Sequence, residues 1–149
     1  MTDIKTRKDR SYNMSRIRSD NTKPEMLVRR YLFSRGFRYR IHVKGLPGRP
    51  DIVLKKYKTV IFINGCFWHA HEGCKNFVWP SSNQDFWKEK INGNVARDKM
   101  NYQNLRSKGW NVIICWECQL KNKKVQESSL LSIADAIVHN FTTGKEQYL

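Results

Sequence analysis

One Asp, two imidazoles and two thiols crowd the stretch Gly48–Cys74, GRPDIVLKKYKTVIFINGCFWHAHEGC. Cys66, His69, His71 and Cys74 lie within nine positions, and Cys118 follows a distant apolar run. Tetrahedral zinc takes four soft or borderline ligands, commonly two from one knuckle and two from elsewhere. This spacing suits such a site closed by Cys118, and it leaves open which histidine is the ligand. Reduced cysteines that merely pack are the alternative. Residues 64–80 have no other core, which favours a structural Zn2+. Cys115, inside the apolar run, reads as a small core residue.

Asp51 offers a different chemistry. It follows a turn containing Pro47, Gly48 and Pro50 and opens a strand. A lone Asp there is commonly a strand-end residue. A carboxylate projecting beside a nucleic-acid groove is also how Mg2+ is held for phosphodiester hydrolysis, together with substrate oxygens and waters. The histidine that zinc does not use would then be free to act as general base on the attacking water. Phe67, Trp68 and Trp87 either cover the metal site or enter a base stack, where aromatic wedges unstack and bend a duplex.

Charge identifies the class of partner. Lys and Arg number 28 against 13 Asp and Glu, a formal net charge of +15 in 149 residues. A field of that sign gathers polyanions, so nucleic acid is the expected partner. No run approaches the length of a membrane span. The opening residues are basic without an apolar core, so no secretory signal is expected, and a reducing compartment suits cysteines that bind metal.

The elements that must position these groups follow from pattern. Residues 1–21 form a basic, aperiodic arm, either solvated or ordering on DNA, and 22–149 form one domain. Thr22, Pro24 and Glu25 start a helix in capping-box form, with Met26, Leu27, Tyr31 and Leu32 on one face and Gly36 at its end. On spacing alone, Glu25 serves the cap. Phe37–Val43 alternates as a half-buried strand, Asp51–Leu54 forms a second, and Thr59–Ile63 a central third. Ser82 caps a helix carrying Phe86, Ile91 and Val95, which Gly93 breaks or kinks, and a second run spans Val95–Lys108. Trp110–Trp116 is a buried strand, and Glu127–Phe141 a packed terminal helix. The order αβββαβα gives an α/β domain, a mixed central sheet flanked by helices, with parallel pairing across the crossover helix.

GRPD, then a strand, then NGCFWHxH-x2-C, FWxEKIxxNVxRD and GWxVIxxWEC together resemble the very short patch repair endonucleases, from about Arg10 to Cys118. The resemblance implies a restriction-endonuclease-like fold and nicking of DNA at thymine–guanine mismatches left by deaminated 5-methylcytosine. By the same resemblance Asp51 binds Mg2+ with the main-chain carbonyl of Ile63, and His69 is the catalytic histidine, oriented by Asp98. Glu25 stands near the metal waters. Cys66, His71, Cys74 and Cys118 bind Zn2+, and Phe67, Trp68 and Trp87 intercalate. Some relatives carry a second His where this chain has Asn64, and the Glu-x-Lys of many restriction enzymes is absent.

The expectation is therefore an Mg2+-dependent endodeoxyribonuclease with a structural Zn2+. It would work as a monomer on double-stranded DNA carrying a T:G mismatch, in a bacterial cytoplasm and away from membranes. Mismatch-recognition proteins are candidate helpers. The alternatives are a restriction-type endonuclease cutting matched DNA and a non-catalytic zinc-containing nucleic-acid-binding module.

Overall fold

Three short strands form the centre of the chain, and helices cover both faces of the sheet. The computed structural model describes residues 21–147. The basic arm expected over 1–21 lies outside the described residues except for Asn21. In order come α1 (Lys23–Ser34), β1 (Ile52–Leu54), a 3-10 turn (Lys55–Tyr57), β2 (Thr59–Asn64), α2 (Gln84–Ser107), β3 (Asn111–Trp116), a second 3-10 turn (Glu117–Leu120) and α3 (Lys123–Gln147). Among the described residues, no helix is long and apolar enough to cross a membrane.

The sheet order is β1-β2-β3, so β2 is central, as its apolar run predicts. β1 pairs antiparallel with β2, and β2 pairs parallel with β3 through the α2 crossover. Alternation sends successive side chains to opposite faces. Ile52, Leu54, Ile61 and Cys115 pack with Val28 and Leu32 of α1 and with Leu130, Ile133 and Ile137 of α3. Val53, Val60 and Phe62 pack with Leu105 of α2 on the other face. The result is a three-layer α/β/α sandwich.

Two expected elements differ. The strand predicted over Phe37–Val43 is absent; only Arg40 bridges to Val53, exchanging two backbone hydrogen bonds of 2.9 Å. His42 adopts φ 54° and Gly45 φ 90°, which turn the chain away from the sheet before a ladder forms. The described order is therefore αββαβα, one strand fewer than expected. Conversely, the two helical runs expected either side of Gly93 are one helix of 24 residues. Gly93 keeps helical geometry with no positive φ, and a Cβ there would meet only the flexible end of the exposed Arg97 side chain, at 3.3 Å, so nothing at this position breaks the helix. Asn83, not Ser82, is its N-cap, and it makes no side-chain cap bond. Phe86 and Val95 are exposed, while Ile91 and Leu105 carry the buried face.

α1 begins as read. Thr22 Oγ1 accepts the Glu25 N–H at 3.4 Å, and Gly36 ends the helix at φ 89°. Its fully buried contacts are Val28 and Leu32, with Leu27 and Tyr31 packed at the margin. β3 is half-buried rather than fully buried, with only Cys115 sealed.

Candidate active site and metal centre

The site gathers at one end of the sheet because of strand direction. β1 starts where β2 and β3 finish, so Asp51, Ile63, Asn64 and Glu117 converge there. Clefts at the carboxyl ends of parallel strands are the usual ligand sites of α/β sheets. Here the cleft measures about 1110 Å³, and its walls include Glu25, Asp51, Asn64, His69, Asp98 and Glu117. Gly48 closes one side at φ 75°, its Cα facing α2 so closely that a Cβ would lie 3.0 Å from that of Asn101. Only glycine meets both demands.

Asp51 is fixed at both ends of the residue. Its N–H donates to the Ile61 carbonyl at 3.0 Å, and its Oδ2 accepts the Ile63 N–H at 2.7 Å. Burial pushes its carboxyl up to about 6, and the negative charge of Glu25 adds to the rise. The Ile63 N–H, Arg29 and His69 oppose it. Among the described residues no cationic side chain is bonded to Asp51 itself, since Arg29 pairs with Glu25, and a buried carboxylate with free oxygen lone pairs fits a hard divalent cation.

Glu25 is 4 % exposed. Its Oε2 accepts the Asn21 N–H at 2.9 Å and an Arg29 guanidinium N–H at 3.1 Å. The carboxylate thus completes a cap one residue earlier than a capping box requires, while also lining the cleft. Arg29 was missed in the sequence, although its position four residues after Glu25 signals a helical ion pair.

The two histidines face different partners. His69 Nδ1 meets Asp98 Oδ2 of α2 at 2.5 Å, which leaves Nε2 as its second nitrogen. His71 Nδ1 lies 3.5 Å from Cys118 Sγ, and its ring stacks on Trp116 at 4.0 Å. Between them Ala70 takes φ 49°. That left-handed turn is rare for a residue with a Cβ, and it breaks the simple relation between neighbouring side chains.

Cys66, His71, Cys74 and Cys118 bring one ligand atom each to within 4.8 Å of one another. Three thiols and an imidazole in that volume suit tetrahedral zinc. Burial, with Cys66 and Cys74 alongside, pushes the Cys118 thiol up to about 12, whereas the Asn76 N–H lowers that of Cys74. Such a crowd of sulfurs gives up its protons together only to a cation. Cys115 stays apart as a core residue, its thiol pushed up to about 11 by burial.

Phe67, Trp68 and Trp87 touch one another with ring centroids 5.3 to 5.9 Å apart. The cluster is larger than the sequence suggested. Phe77 reaches Phe67, Trp79 leans on Phe77, and Phe86 on Trp87. Asn94 Nδ2 of α2 holds the Trp68 carbonyl at 2.9 Å. Glu117 in the cleft was also passed over, because in sequence it reads only as the neighbour of Cys118.

The sequence pattern of the DNA mismatch endonuclease Vsr family matches residues 2–76, half of the chain. The chain belongs to the Vsr family. The match contains Asp51, His69 and three of the clustered ligands, and stops before α2 and Cys118. Relatives extend it. The Type II nicking enzyme V.NmeAIP of Neisseria meningitidis serogroup A is 54% identical over 125 residues, 84% of this chain and 89% of that protein. V.XorIIP of Xanthomonas oryzae, also a Type II nicking enzyme, is 44% identical over 91% of this chain and 98% of its own length. The DNA mismatch endonuclease Vsr of Escherichia coli K12 is 40% identical over 83% of this chain and 79% of its own length. As a Vsr-family protein the chain is an endonuclease whose partner is DNA.

Proposed function

We propose that this endonuclease nicks one strand of double-stranded DNA beside a T:G mismatch, using Mg2+ at Asp51 and a structural Zn2+ in the cysteine–histidine cluster. The observation that carries the reading is the shared cleft of Asp51 and the His69–Asp98 pair. When bound, Mg2+ supplies Lewis-acid stabilisation of charge on the phosphate. Asp51 and the Ile63 carbonyl would hold it, and Glu25 lines the same cleft. Asp98 accepts the Nδ1 proton of His69, so Nε2 takes a proton from the attacking water. The water oxygen bonds to phosphorus as the bond to the leaving sugar oxygen breaks. Cys66, His71, Cys74 and Cys118, whose ligand atoms lie within 4.8 Å of one another, would hold Zn2+ and so fasten residues 65–80 to the end of β3.

Selectivity follows from the aromatic cluster. Phe67, Trp68 and Trp87 enter the stack, and a poorly stacked wobble pair costs less to open than a matched one. The Escherichia coli relative is named for mismatches, which supports this choice. The relatives named nicking enzymes favour a second reading, a nick at matched sites.

Cleavage of T:G and matched duplexes in varied flanking sequence, with and without Mg2+, separates the two. Faster nicking of T:G duplexes that disappears without Mg2+ is expected. Equal rates on both duplexes would favour the second reading, and an Asp51→Ala protein that still nicks at the wild-type rate would defeat the mechanism.

A further inference from the structure

Three polar side chains on one face of α2 reach the active-site end of the sheet at intervals of four residues. Asn94 holds the Trp68 carbonyl, Asp98 holds His69, and the Tyr102 hydroxyl accepts from Asn64 Nδ2 at 2.8 Å. Four residues of helix rise about 6 Å, so the three form a row along the loop and the strand end. The first two positions touch the wedge backbone and the histidine. The third touches Asn64, which carries no acid–base chemistry.

Asn64 nevertheless stands between two anchors. Ile63, before it, gives its N–H to the Asp51 carboxylate. Gly65, after it, accepts the His69 N–H at 3.2 Å. Displacing Asn64 therefore moves the supports of Asp51 and His69 together. The side chain is 4 % exposed and lines the cleft. Tyr102 is itself seated, its ring edge-on to Phe62 at 4.9 Å on the α2 face of the sheet. Burial raises its hydroxyl further from ionisation, which keeps it a neutral partner for the amide. An apolar pair of similar volume would satisfy packing as well, since removing both partners of a buried hydrogen bond is often nearly neutral. The directional bond is what packing does not require.

We infer that Asn64 and Tyr102 are a positioning pair: they set Asp51 against His69 by tying the end of β2 to the helix that carries Asp98. The inference rests on the hydrolytic reading of the cleft given above.

The test is a cycle of Asn64→Ala, Tyr102→Phe and the double variant in the full chain. Single-turnover nicking of T:G duplexes in Mg2+, duplex affinity without Mg2+ and urea unfolding are measured on each. Misplacement of a reacting group by about an ångström costs roughly a hundredfold in rate. Tyr102→Phe should therefore slow nicking by tenfold to a hundredfold, with affinity and unfolding midpoint nearly unchanged. The double variant should be no slower than the slower single one. Nicking by Tyr102→Phe at the wild-type rate would overturn the inference. So would multiplicative losses, or losses that track affinity or stability. Tyr102→Phe removes one oxygen from a seated ring, so it still decides the matter if Asn64→Ala fails to fold. A wild-type protein that leaves T:G duplexes intact refutes the reading of the cleft instead.

Discussion

Asp51→Asn should make the protein more stable at neutral pH while abolishing its cleavage. The folded chain raises the Asp51 carboxyl from 3.8 to about 6. It therefore holds the proton more tightly than the unfolded chain does. Stability is greatest with the group protonated, declines as pH climbs from near 3.8 through about 6, and stays lower above that. At 1.36 kcal/mol per pH unit the full penalty is about 3 kcal/mol, of which about 1.4 kcal/mol develops between pH 5 and pH 8. Asn cannot ionise, and its amide oxygen can still accept the Ile63 N–H.

Urea unfolding in magnesium-free buffer without chelator, which leaves a zinc site untouched, measures the difference. The variant should exceed wild type by up to about 3 kcal/mol near pH 8, and the gap should narrow toward pH 5. Adding Mg2+ should stabilise wild type and leave the variant unmoved. A gap that is absent at pH 8, or constant with pH, would mean that burial of the Asp51 charge costs the fold nothing.

Three further outcomes are expected. Asp98→Asn should lower single-turnover nicking by roughly 10²- to 10⁴-fold with duplex affinity retained, because the His69 hydrogen bond loses its charge; unchanged nicking defeats the proposed proton path. Native mass spectrometry should find one zinc ion in wild type and none in Cys118→Ser, whose stability to urea should fall by several kcal/mol; a folded wild-type protein without zinc removes the clamp. Trp68→Ala should cost about 1–3 kcal/mol of stacking on the mismatched duplex and so narrow the preference for T:G over matched DNA; an undiminished preference assigns selectivity elsewhere.

The legible parts of the fold were those where local chemistry and burial agree. Thr22 and Gly36 bound α1, and the run TVIFI lies at the centre of the sheet, buried except for a half-exposed Ile63. The misread parts are those where tertiary packing decides. Phe37–Val43 alternates like a strand, yet the positive φ of His42 ends the pairing after one bridge. Gly93 looks like a breaker, yet the helix runs through it, anchored on either side by buried Ile91 and Leu105. In the site, the cysteine spacing was informative because ligands on one loop must lie close in sequence. The His69–Asp98 and Asn64–Tyr102 contacts join residues 29 and 38 positions apart; the family resemblance implied the first, while nothing in the residue pattern signals the second.

Ala70 shows why two histidines separated by one residue serve two sites. On a regular strand His69 and His71 would point the same way. The left-handed φ of Ala70 changes that relation, so one imidazole reaches Asp98 on α2 and the other reaches Cys118 beyond β3. Holding a residue with a Cβ there costs about 1–2 kcal/mol, which the surroundings must offset. The stack of His71 on Trp116 and the convergence of three sulfurs supply that restraint. A zinc ion in the cluster would tighten it. The clamp and the proposed chemistry are then mechanically linked: fixing His71 fixes Ala70, and with it the aim of His69. In the segment 65–80 only Cys66 is fully buried, and the aromatic side chains Phe67, Trp68 and Phe77 are half-buried against one another. An irregular segment of that length would gain from ligation the rigidity that a sealed core does not give it, and the proposed aromatic wedge would need that rigidity to press into a base stack.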